Sequence, residues 1–591
     1  MTTKTAAGTL TELFSRSVEC YPDRPAVTDD GRTLTYAQLD QESDAVSALL
    51  RSHGVGTEDR VGLYVNRSVD LIVAVLGILK SGAAYVAVDT RYPDARRDLM
   101  LSRSGAKVVL TEAGWEHRLN ALSKKIVAVS DRTAFAGVPS DGLVKPERAA
   151  SILFTSGSTG EPKAIVLEHR NLVSFACNPS LPALHPEDRA GQISSVSFDA
   201  FHFETWNAFA AGAQTVVLPP VPDLLAADFQ SQMKKYGITA MLAPTMVVNH
   251  VVREDPDAFA SLRVLGAIGD VVLPSACKAL LSGQFQGSLY NFYGPAEITT
   301  ACTTHLVTLE DAESDVIPIG RPIDGVSVQV LSPDFQPVRV GETGELFVSG
   351  PGVARGYQDR DDLTDERFLV LPAGEGSTRM YRTGDLVWQR EDGVLVFVGR
   401  ADNQVKIRGY RVEPGEVERE LRRYAEVQEA VVLPDGEGSE RRLVAFVMVD
   451  DSGSVQTLRE RVERDLPDYM VPSEFIVQSE IPTTAHGKRD RDALREVLRK
   501  LLESEKAYDA PQTETELYLA GLWEELLGTE RIGRDTDFFG RGGHSMLAFR
   551  MSYRINGDLG TRLRFPVVLD NTVLKDLAGK IDAAREGAKT S

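Results

Sequence analysis

The chain has 591 residues, 42% hydrophobic and 25% charged, which is enough for roughly two to four globular domains. Its formal net charge of -20 argues against nucleic acid or an anionic membrane surface as a partner, because the summed field repels polyanions. The four cysteines lack C-x-x-C spacing, and neither a signal peptide nor a long apolar run is present, so we expect a soluble, cytoplasmic protein without disulfides or a zinc site.

From about residue 25 to 350, apolar runs such as RVGLYVN, KVVLTE and SILFTSG alternate with helical patterns. Continuous apolar strands separated by helices predict parallel sheets buried on both faces, that is, an α/β body. From about 340 to 400, short strands with glycine turns predict a hairpin-rich module that closes the large domain. A compact α+β pattern then continues to about residue 495.

The last part of the chain is predicted to be a small helical bundle behind a polar connector, DAPQTETE. One helix is indicated by Thr513 and Glu516 at capping-box spacing, followed by an apolar stripe. That stripe consists of Leu519, Leu522, Trp523 and Leu526, and a second stripe consists of Leu547, Met551 and Ile555.

A run of small residues, FTSGSTGEPK at 154–163, follows the apolar strand predicted over 150–154. Glycine allows close backbone approach, hydroxyls and amides can surround phosphate oxygens, and lysine adds a cation, so the run is a candidate phosphate-binding loop. It is not the P-loop of NTPases, because Ala164 follows Lys163. From composition alone, a flexible turn is the alternative interpretation.

Nine segments in series resemble motifs of the adenylate-forming superfamily, which includes acyl-CoA synthetases, luciferases and the adenylation domains of nonribosomal peptide synthetases. Besides FTSGSTGEPK they are LTYAQL, LKSGAAYVAVD, NFYGPAE, GELFVSGPGVARGY, YRTGDL, GRADNQVKIRGYRVEPGEVE, LPDYMVP and PTTAHGKRDR. The resemblance implies a large subdomain of two α/β sheets and a small β-barrel-like module, over residues 1–401. It also implies a small α+β subdomain over 402–500.

The resemblance implies ATP or AMP contacts for residues spread along the large subdomain. They are Thr155, Ser156, Gly157, Ser158, Thr159, Gly160, Lys163, Tyr293, Gly294, Asp385 and Arg400. Tyr293 would stack on adenine, and Asp385 would accept hydrogen bonds from both ribose hydroxyls.

Two residues are implied to be catalytic. Glu297 would help to hold Mg²⁺, a cation that prefers oxygen ligands, and Lys488 would bridge the attacking carboxylate and the α-phosphate. The family usually has threonine where this chain has Ala296, which removes one possible hydroxyl contact to the α-phosphate. A solvated surface lysine is the structural alternative for Lys488.

The segment FDAFHFETW resembles the amino-acid-binding segment of peptide synthetase adenylation domains, in which an aspartate pairs with the α-ammonium group of the substrate. Asp199 stands at that position, with a helix cap as the alternative. The implied pocket consists of Asp199, Ala200, Phe203, Met241, Gly266, Ile268, Phe292, Thr300 and Ala301, with Lys488 at its end. Because this lining is mostly apolar and offers no second charge, we expect a neutral, mostly apolar amino-acid side chain.

The segment DFFGRGGHSM resembles the attachment site of peptidyl carrier proteins, in which a serine is esterified by 4'-phosphopantetheine. Ser545 is that serine, so the resemblance implies a four-helix carrier domain over 513–588 behind a linker over 501–512. A hydrolase elbow, G-x-S-x-G, is excluded because Leu547 occupies the place of its second glycine. A helix cap alone would not need the paired glycines.

The two domains together predict an ATP-dependent ligase that forms an aminoacyl-adenylate and loads the aminoacyl group as a thioester on Ser545. The implied cofactors are ATP, Mg²⁺ and 4'-phosphopantetheine. In this family the small subdomain rotates between the two steps, and Asp402 matches the hinge. In the second state, Lys488 would leave and the glycine-rich hairpin near Gly409 would line the approach of the thiol.

The expected partners are the amino acid, a phosphopantetheinyl transferase, and a downstream condensation or tailoring enzyme. The downstream enzyme is expected because the sequence contains neither the H-H-x-x-x-D-G motif of condensation domains nor a thioesterase elbow, and so resembles a free-standing loading unit. An MbtH-like helper would dock on VQEAVVLP. Two alternatives remain: an acyl-CoA or aryl acid ligase with an accessory helical domain, and a non-catalytic scaffold.

Overall fold

The computed structural model describes residues 7–139, 144–156, 162–373, 376–402, 404–407, 409–436, 441–449, 455–482, 489–503, 509–527, 532–539, 541, 543, 545–561, 563 and 565–589. The chain divides into two compact units. The first unit comprises Met1–Pro219 and Gln230–Arg411, and the second comprises Pro220–Phe229 and Val412–Ser591.

Described residues of the first unit form a nine-stranded sheet whose central strands are parallel. In spatial order its strands are Arg321–Pro322, Thr303–Leu306, Ser288–Tyr293, Val264–Ile268, Ala240–Pro244, Arg189–Gln192, Gln214–Val217, Pro25–Thr28 and Thr33–Thr35. The strands at each end pair antiparallel. The central strands are buried along almost their whole length, as expected for a parallel sheet covered on both faces.

A second sheet of seven strands lies in the same unit. Its spatial order is Gly356–Tyr357, Lys163–Glu168, Ala149–Thr155, Ala84–Ala87, Arg60–Tyr64, Val108–Thr111 and Lys125–Ala128. The last five of these pair in parallel, and the first two pair antiparallel. These two sheets confirm the predicted α/β body.

Helices cover the two sheets. They are Leu10–Cys20, Tyr36–Ser52, Val69–Lys80, Asp94–Arg103, His169–Ala176, Ala200–His202, Ala208–Ala211, Phe229–Tyr236, Thr245–Glu254, Pro274–Ser282 and Asp361–Arg367. Short 3₁₀ turns span Glu116–Leu119, Val129–Phe135, Ala296–Ile298 and Asp311–Glu313. Local chemistry sets the helix starts: Thr35 and Gln38 form a capping box at the start of Tyr36–Ser52. The helix Val69–Lys80 is buried all around, as its nearly uninterrupted apolar sequence requires.

An antiparallel sheet of five strands follows in the chain, as the glycine-turn pattern predicts. Its strands are Ser327–Leu331, Gly344–Ser349, Phe368–Ala373, Gly376–Gln389 and Leu395–Arg400. The strands Val405–Ile407 and Tyr410–Val412 then form a two-stranded ribbon. We call this element the 405–412 ribbon.

The second unit contains a three-stranded sheet and two groups of helices. The sheet is built from Val427–Asp435, Arg442–Val449 and Glu474–Val477. Its neighbours along the chain are the helices Pro414–Leu421, Val455–Asp465 and Arg491–Glu503 and the 3₁₀ turn Asp468–Met470. The helix Val221–Ala226 also belongs to this unit. This is the α+β pattern predicted from the sequence.

The carboxyl-terminal helices are Glu514–Leu527, Ser545–Leu559, Phe565–Asp570 and Leu574–Lys589. All seven residues of the two predicted apolar stripes are buried in one core. Thr513 accepts a hydrogen bond from the backbone amide of Glu516 at 3.0 Å, as the capping box predicts. The Glu516 carboxylate reaches back to the backbone amide of Gln512 at 2.6 Å and also interacts with the amide of Thr513.

Among the helices in the described part of the chain, none is both long and apolar enough to cross a membrane.

Candidate functional site

Glu297 lies on the 3₁₀ turn Ala296–Ile298 with only 1% of its surface exposed. Its carboxylate accepts hydrogen bonds from the Tyr357 hydroxyl at 2.8 Å and from Arg411 Nη1 at 3.0 and 3.2 Å. Burial alone would raise the pKa of Glu297, but the Arg411 charge, the Tyr357 hydroxyl and Lys163 hold it below its ordinary value. The carboxylate is therefore ionised at neutral pH.

Lys163 begins the strand Lys163–Glu168 and is also buried. Its Nζ lies over the Tyr357 ring, 5.4 Å from the centroid. Lys163 and Glu297 thus both contact Tyr357, so a cation and a carboxylate that can bind a metal lie near each other. The predicted loop residues Gly157, Ser158, Thr159 and Gly160 lie outside the described residues, as does Lys488.

Glu297 fits Mg²⁺, which proteins commonly hold through one or two carboxylates together with substrate phosphates. Within the ranges that the structure describes, no group of three or more His, Cys, Asp or Glu side chains could bind a metal by itself. One buried, ionised carboxylate beside a lysine is chemically suited to a metal ion carried by a nucleotide.

The predicted nucleotide residues Tyr293, Asp385 and Arg400 are in direct contact. The Tyr293 hydroxyl donates to one oxygen of the Asp385 carboxylate, and Arg400 donates to the other. Asp385 and Arg400 are cross-strand partners in the five-stranded sheet, which is why they face each other. Gly294 follows Tyr293 directly at the end of the strand Ser288–Tyr293.

Arg400 also connects this cluster to the predicted hinge. Its Nε and Nη2 donate to the two carboxylate oxygens of Asp402 at 2.7 and 2.8 Å. Burial would raise the pKa of Asp402, but this two-point contact with Arg400 holds it below its ordinary value. The residue predicted to be the hinge is thus anchored to a residue predicted to contact the ribose.

Residues 410 and 411 of the 405–412 ribbon, which belong to the first unit, contact the same region of that unit. Tyr410 packs edge-to-face on Phe198, with 4.8 Å between ring centroids. Ser156, at the start of the predicted phosphate loop, donates its hydroxyl to the carbonyl of Arg411 at 2.7 Å. Thr155 ends the preceding strand. The ribbon carries Arg411 to Glu297, a contact that the sequence reasoning missed although GYRVEPGEVE was among its motifs.

Most predicted pocket residues come together in one buried apolar cluster. It contains Ala200, Phe203, Ile268, Phe292 and Ala301 together with Phe175, Leu181, Leu242 and Ile323. Phe203 and Phe292 meet edge-to-face with 5.7 Å between ring centroids. Gly266 belongs to the same wall, because a methyl group at its Cα would lie 2.6 Å from Leu242 Cδ1 and 2.8 Å from the Phe292 ring. The missing side chain of Gly266 is what lets the large ring of Phe292 fit.

The structure differs from the prediction at Met241. Strand pairing aligns Leu242 with Gly266 and Met241 with Leu265, and aligned residues of neighbouring strands point to the same face. Met241 therefore lies on the other face of the sheet, where it reaches toward Gly191. Leu242, its neighbour in sequence, takes the place in the pocket wall. A shift of one residue in a strand exchanges the two faces.

Asp199 and Ala200 stand at the amino end of a helix that continues through a π-helical segment, Phe203–Asn207, to Ala211. Such segments are rare and occur often at functional sites. The buried Glu204 fixes this helix, because its carboxylate accepts hydrogen bonds from the Ser194 hydroxyl at 2.8 Å and from the Gln192 side-chain Nε2 at 3.0 Å. The pocket-lining Phe203 directly precedes this anchor.

Asp199 is partly buried, and the loss of solvent around its carboxyl raises its pKa to about 7. The nearby Glu297 raises it further, whereas the Ala200 amide and Lys406 oppose the rise. Thr300 is held beside it, because the Thr300 hydroxyl donates to the Asp199 carbonyl at 2.8 Å. Ionisation of a desolvated carboxyl group is unfavourable unless a cation pairs with it, so this site favours a cationic ligand.

Ser545 is the first residue of the helix Ser545–Leu559, as its predicted role requires; the position of its side chain lies outside the described part. Gly543 packs directly against the carrier core. A methyl group at its Cα would lie 2.3 Å from the Phe538 ring, and its amide donates to the Phe538 carbonyl at 2.8 Å. Glycine is therefore a packing requirement just before this helix.

Three protein families match this chain, in the order of domains that the sequence predicts. The AMP-binding enzyme family matches residues 14–358, the AMP-binding enzyme C-terminal domain matches residues 416–488, and the phosphopantetheine attachment site family matches residues 518–581.

Among curated proteins, bacitracin synthase 2 of Bacillus licheniformis is 33% identical over 577 residues, which cover 97% of this chain and 22% of that protein. Tyrocidine synthase 3 of Brevibacillus parabrevis is 34% identical over 580 residues, which cover 97% of this chain and 9% of that protein. The chain thus spans less than a quarter of the length of these relatives.

Among solved structures, holo-PA1221, an NRPS protein containing adenylation and PCP domains, superposes with a TM-score of 0.82 at 29% identity, covering 98% of this chain and 97% of that one. Holo-AB3403, a four-domain nonribosomal peptide synthetase bound to AMP and glycine, gives 0.61 at 30% identity, covering 97% of this chain and 42% of that one. These likenesses confirm the predicted fold class. The chain therefore belongs to the AMP-binding enzyme family, with an adenylation domain of the nonribosomal peptide synthetase type joined to a carrier domain.

Proposed function

We propose that this protein activates an α-amino acid with ATP and transfers it to its own carrier domain. In the first step a carboxylate oxygen of the amino acid attacks the α-phosphorus of ATP, and pyrophosphate leaves. In the second step the phosphopantetheine thiol on Ser545 loses its proton and attacks the acyl carbon, and AMP leaves. The products are an aminoacyl thioester, AMP and pyrophosphate.

The observation that carries this proposal is the environment of Asp199. The Asp199 side chain is partly buried next to Ala200 of the apolar cluster, and the loss of solvent around its carboxyl raises its pKa to about 7. An α-ammonium group bound there would supply the cationic partner that ionised Asp199 needs. A fatty or aryl acid has no such group and would leave the carboxylate uncompensated. The pocket therefore favours an amino acid over the substrates of acyl-CoA and aryl acid ligases.

The side chain of the amino acid is proposed to be neutral and mostly apolar. The cluster that receives it is built from Phe203, Ile268, Phe292 and Ala301, with Leu242 and Gly266 in the wall. An ionic side chain would be desolvated there without a partner of opposite charge.

ATP is proposed to bind across the clusters at Glu297 and Asp385. Asp385 and Arg400 would hold the ribose, Tyr293 the adenine, and Lys163 with Ser156 the phosphates. Mg²⁺, when bound through Glu297 and phosphate oxygens, supplies positive charge that offsets the negative charge of the phosphates. The likeness to a synthetase whose structure holds AMP and glycine supports this arrangement.

Lys488 remains the proposed bridge between the attacking carboxylate and the α-phosphate. One cation that contacts both anions stabilises charge that comes together only as they react. Its position in PTTAHGKRDR, at the last residue matched by the C-terminal domain family, supports this role.

The second step is proposed to use a different arrangement around the same adenylate. With Arg411 and Tyr357 on its oxygens, Glu297 has its charge compensated without a metal. This arrangement suits the state that follows pyrophosphate release, when the ribbon rather than Lys488 covers the adenylate. Asp402, held by Arg400, would be the pivot between the two states.

The carrier role follows from the helix that starts at Ser545. A phosphodiester there would face the free amides and the positive end of the helix dipole. A phosphopantetheinyl transferase must supply the arm, and a condensation or tailoring enzyme would accept the aminoacyl group in the biosynthesis of a peptide or related product. An MbtH-like helper docked near VQEAVVLP remains part of this proposal, with the cytoplasm as the site of action.

Amino-acid-dependent exchange of labelled pyrophosphate into ATP tests the first step. We expect one or a few neutral amino acids to support exchange, and we expect the matching acids without the amino group to fail. Asp199→Asn should lose activity with the amino acid, whereas Ser545→Ala should retain exchange. Formation of acyl-CoA from a simple acid, unaffected by Ser545→Ala, would instead indicate an acyl-CoA or aryl acid ligase.

A further inference from the structure

A buried histidine stands behind the amino-acid pocket, outside the set of proposed substrate contacts. His202 is fully buried on the same helix turn as Asp199 and Ala200. Its Nε2 lies 3.3 Å from the Tyr85 hydroxyl, and its Nδ1 lies 3.4 Å from the Thr300 hydroxyl. His202 therefore connects a strand of the seven-stranded sheet to the segment that follows Glu297.

The hydrogen bonds run in one consistent direction. Thr300 uses its only hydroxyl proton to donate to the Asp199 carbonyl, so toward His202 it acts as an acceptor. Nδ1 must then carry the ring proton, and Nε2 accepts from the Tyr85 hydroxyl. Burial lowers the pKa of His202 to about 3, so the ring stays neutral and keeps one donor and one acceptor.

The Asp199 carbonyl receives two donors from this group. Besides the Thr300 hydroxyl, the backbone amide of His202 donates to it at 2.9 Å. The main chain of Asp199 is thus fixed from two sides, and with it the point from which its carboxylate extends into the pocket.

The segment that supplies Thr300 has an uncommon backbone. Thr299 and Thr300 have φ values of 60° and 70°, a left-handed conformation that β-branched residues rarely adopt. The Thr299 hydroxyl donates to the Gly352 carbonyl at 2.8 Å. Such strain persists only where surrounding contacts hold it, and it is common where a site depends on position. Each threonine is held in this way by its own hydroxyl.

We infer that His202 is a positioning residue: through Thr300 it holds Asp199 where its carboxylate meets the substrate α-ammonium group. This inference rests on the proposed amino-acid substrate. His202 acts without contacting the substrate, and its contribution depends on the Nδ1 proton. The contact between His202 Nε2 and the Tyr85 hydroxyl fixes the tautomer and the plane of the imidazole ring.

The test replaces the ring by groups that keep one nitrogen at a time. His202→Phe preserves an aromatic ring and removes both nitrogens. His202→Asn offers an amide near the place of Nδ1, and His202→Gln offers one near the place of Nε2. His169 is the matched control, because it is also fully buried, has a pKa lowered by burial to about 4, and lies outside the site, where it accepts from the Leu10 amide at 3.2 Å.

Pyrophosphate exchange measures KM for the amino acid and for ATP separately. We expect His202→Phe and His202→Gln to raise KM for the amino acid roughly three- to tenfold, the range of one hydrogen bond, with little change in KM for ATP. His202→Asn should restore KM toward that of the unchanged protein. His169→Phe should lower thermal stability without changing either KM.

Equal changes in both KM values, or identical behaviour of the Asn and Gln variants, would overturn the positioning role. If His202→Phe does not fold, the comparison of the Asn and Gln variants decides the question. Lack of exchange by the unchanged protein with every amino acid would refute the proposed function instead, so the two failures are distinguishable.

Discussion

The partly buried guanidinium of Arg411 and the buried carboxylate of Glu297 form an ion pair, with Arg411 Nη1 3.0 and 3.2 Å from the two carboxylate oxygens. Glu297 is also the residue proposed to hold Mg²⁺ while ATP reacts. One carboxylate cannot serve both cations in the same way at once. The two steps of the proposed reaction are therefore expected to use Glu297 with different partners.

Arg411→Gln should separate these two steps. Loss of the cation leaves the buried Glu297 uncompensated whenever the 405–412 ribbon is in place, so loading of the carrier should slow on the order of tenfold to a hundredfold. Pyrophosphate exchange, for which Glu297 is proposed to hold Mg²⁺, should continue. Single-turnover loading from preformed adenylate measures the first quantity, and isotope exchange the second.

Arg382→Gln is a suitable control, because Arg382 pairs with Glu345 at 2.8 and 2.9 Å in the five-stranded sheet. Equal loss of loading in both variants, or loss of exchange in Arg411→Gln, would contradict the assignment.

Lys488→Ala should give the opposite result. Removal of a cation that bridges two reacting anions is expected to slow adenylate formation about a hundredfold or more, yet it should spare loading from adenylate supplied ready-made. Lys500→Ala, which changes a lysine paired with Glu496 on the helix Arg491–Glu503, should alter neither step. A normal rate of pyrophosphate exchange in the Lys488→Ala variant would refute the bridging role.

Asp402→Pro should affect the two reaction steps in the same way as Arg411→Gln. Proline fixes φ and thus restricts the rotation proposed at this position, and the substitution also removes both contacts with Arg400. We expect adenylate formation to persist while loading falls. Quench-flow measurement of the two steps on one sample checks this, and a variant that loads at the normal rate would exclude a hinge at residue 402.

Amino-acid binding should depend on pH through Asp199. Burial raises the pKa of this carboxyl to about 7, so in the empty pocket it is neutral below that pH and ionised above it. Only the ionised form attracts an ammonium group. KM for the amino acid should therefore rise about tenfold for each pH unit below about 7, and it should level off above.

Exchange assays over a pH series check this prediction, with KM for ATP as the internal reference. Asp199→Asn should show weak binding at every pH, because it removes the titrating group. A KM for the amino acid that does not change between about pH 5.5 and 8 would show that Asp199 does not control recognition.

Gly266 and Phe292 should behave as a coupled pair. Gly266→Ala places a methyl group 2.8 Å from the Phe292 ring and 2.6 Å from Leu242, so it should destabilise the protein by about 1–3 kcal/mol and weaken amino-acid binding. Phe292→Leu provides space for that methyl group. The double variant should therefore be more stable than the sum of the single changes predicts. Denaturant unfolding and KM are measured for the two single variants and the double variant. If the effects of the two substitutions simply add, Gly266 and Phe292 are not coupled.

Much of the fold could be predicted because local chemistry and tertiary packing agree. The stripe from Leu519 to Leu526 needs a core on one helix face, and its residues are buried in one. Apolar strands separated by helices leave a parallel sheet as the natural arrangement. The carrier helix begins at Ser545, where the resemblance requires it.

The site was less predictable where it depends on register or on distant contacts. The family resemblance placed Met241 in the pocket, but strand pairing turns Leu242 toward Gly266 instead. Arg411 lies 114 positions from Glu297, and nothing in the local pattern links them. His202 carries no signal of its own, because a single histidine in an apolar helix reads as a core residue until Tyr85 and Thr300 are seen beside it.

Intact-mass analysis of the phosphopantetheine-bearing protein tests the central claim most directly. The protein is incubated with ATP, Mg²⁺ and each common amino acid in turn, and Ser545→Ala serves as the control. We predict that one neutral amino acid adds its aminoacyl mass to the arm, that a thiol nucleophile removes it, and that the control gains nothing. No aminoacyl adduct with any amino acid, together with transfer of a simple acid to free coenzyme A, would contradict the account.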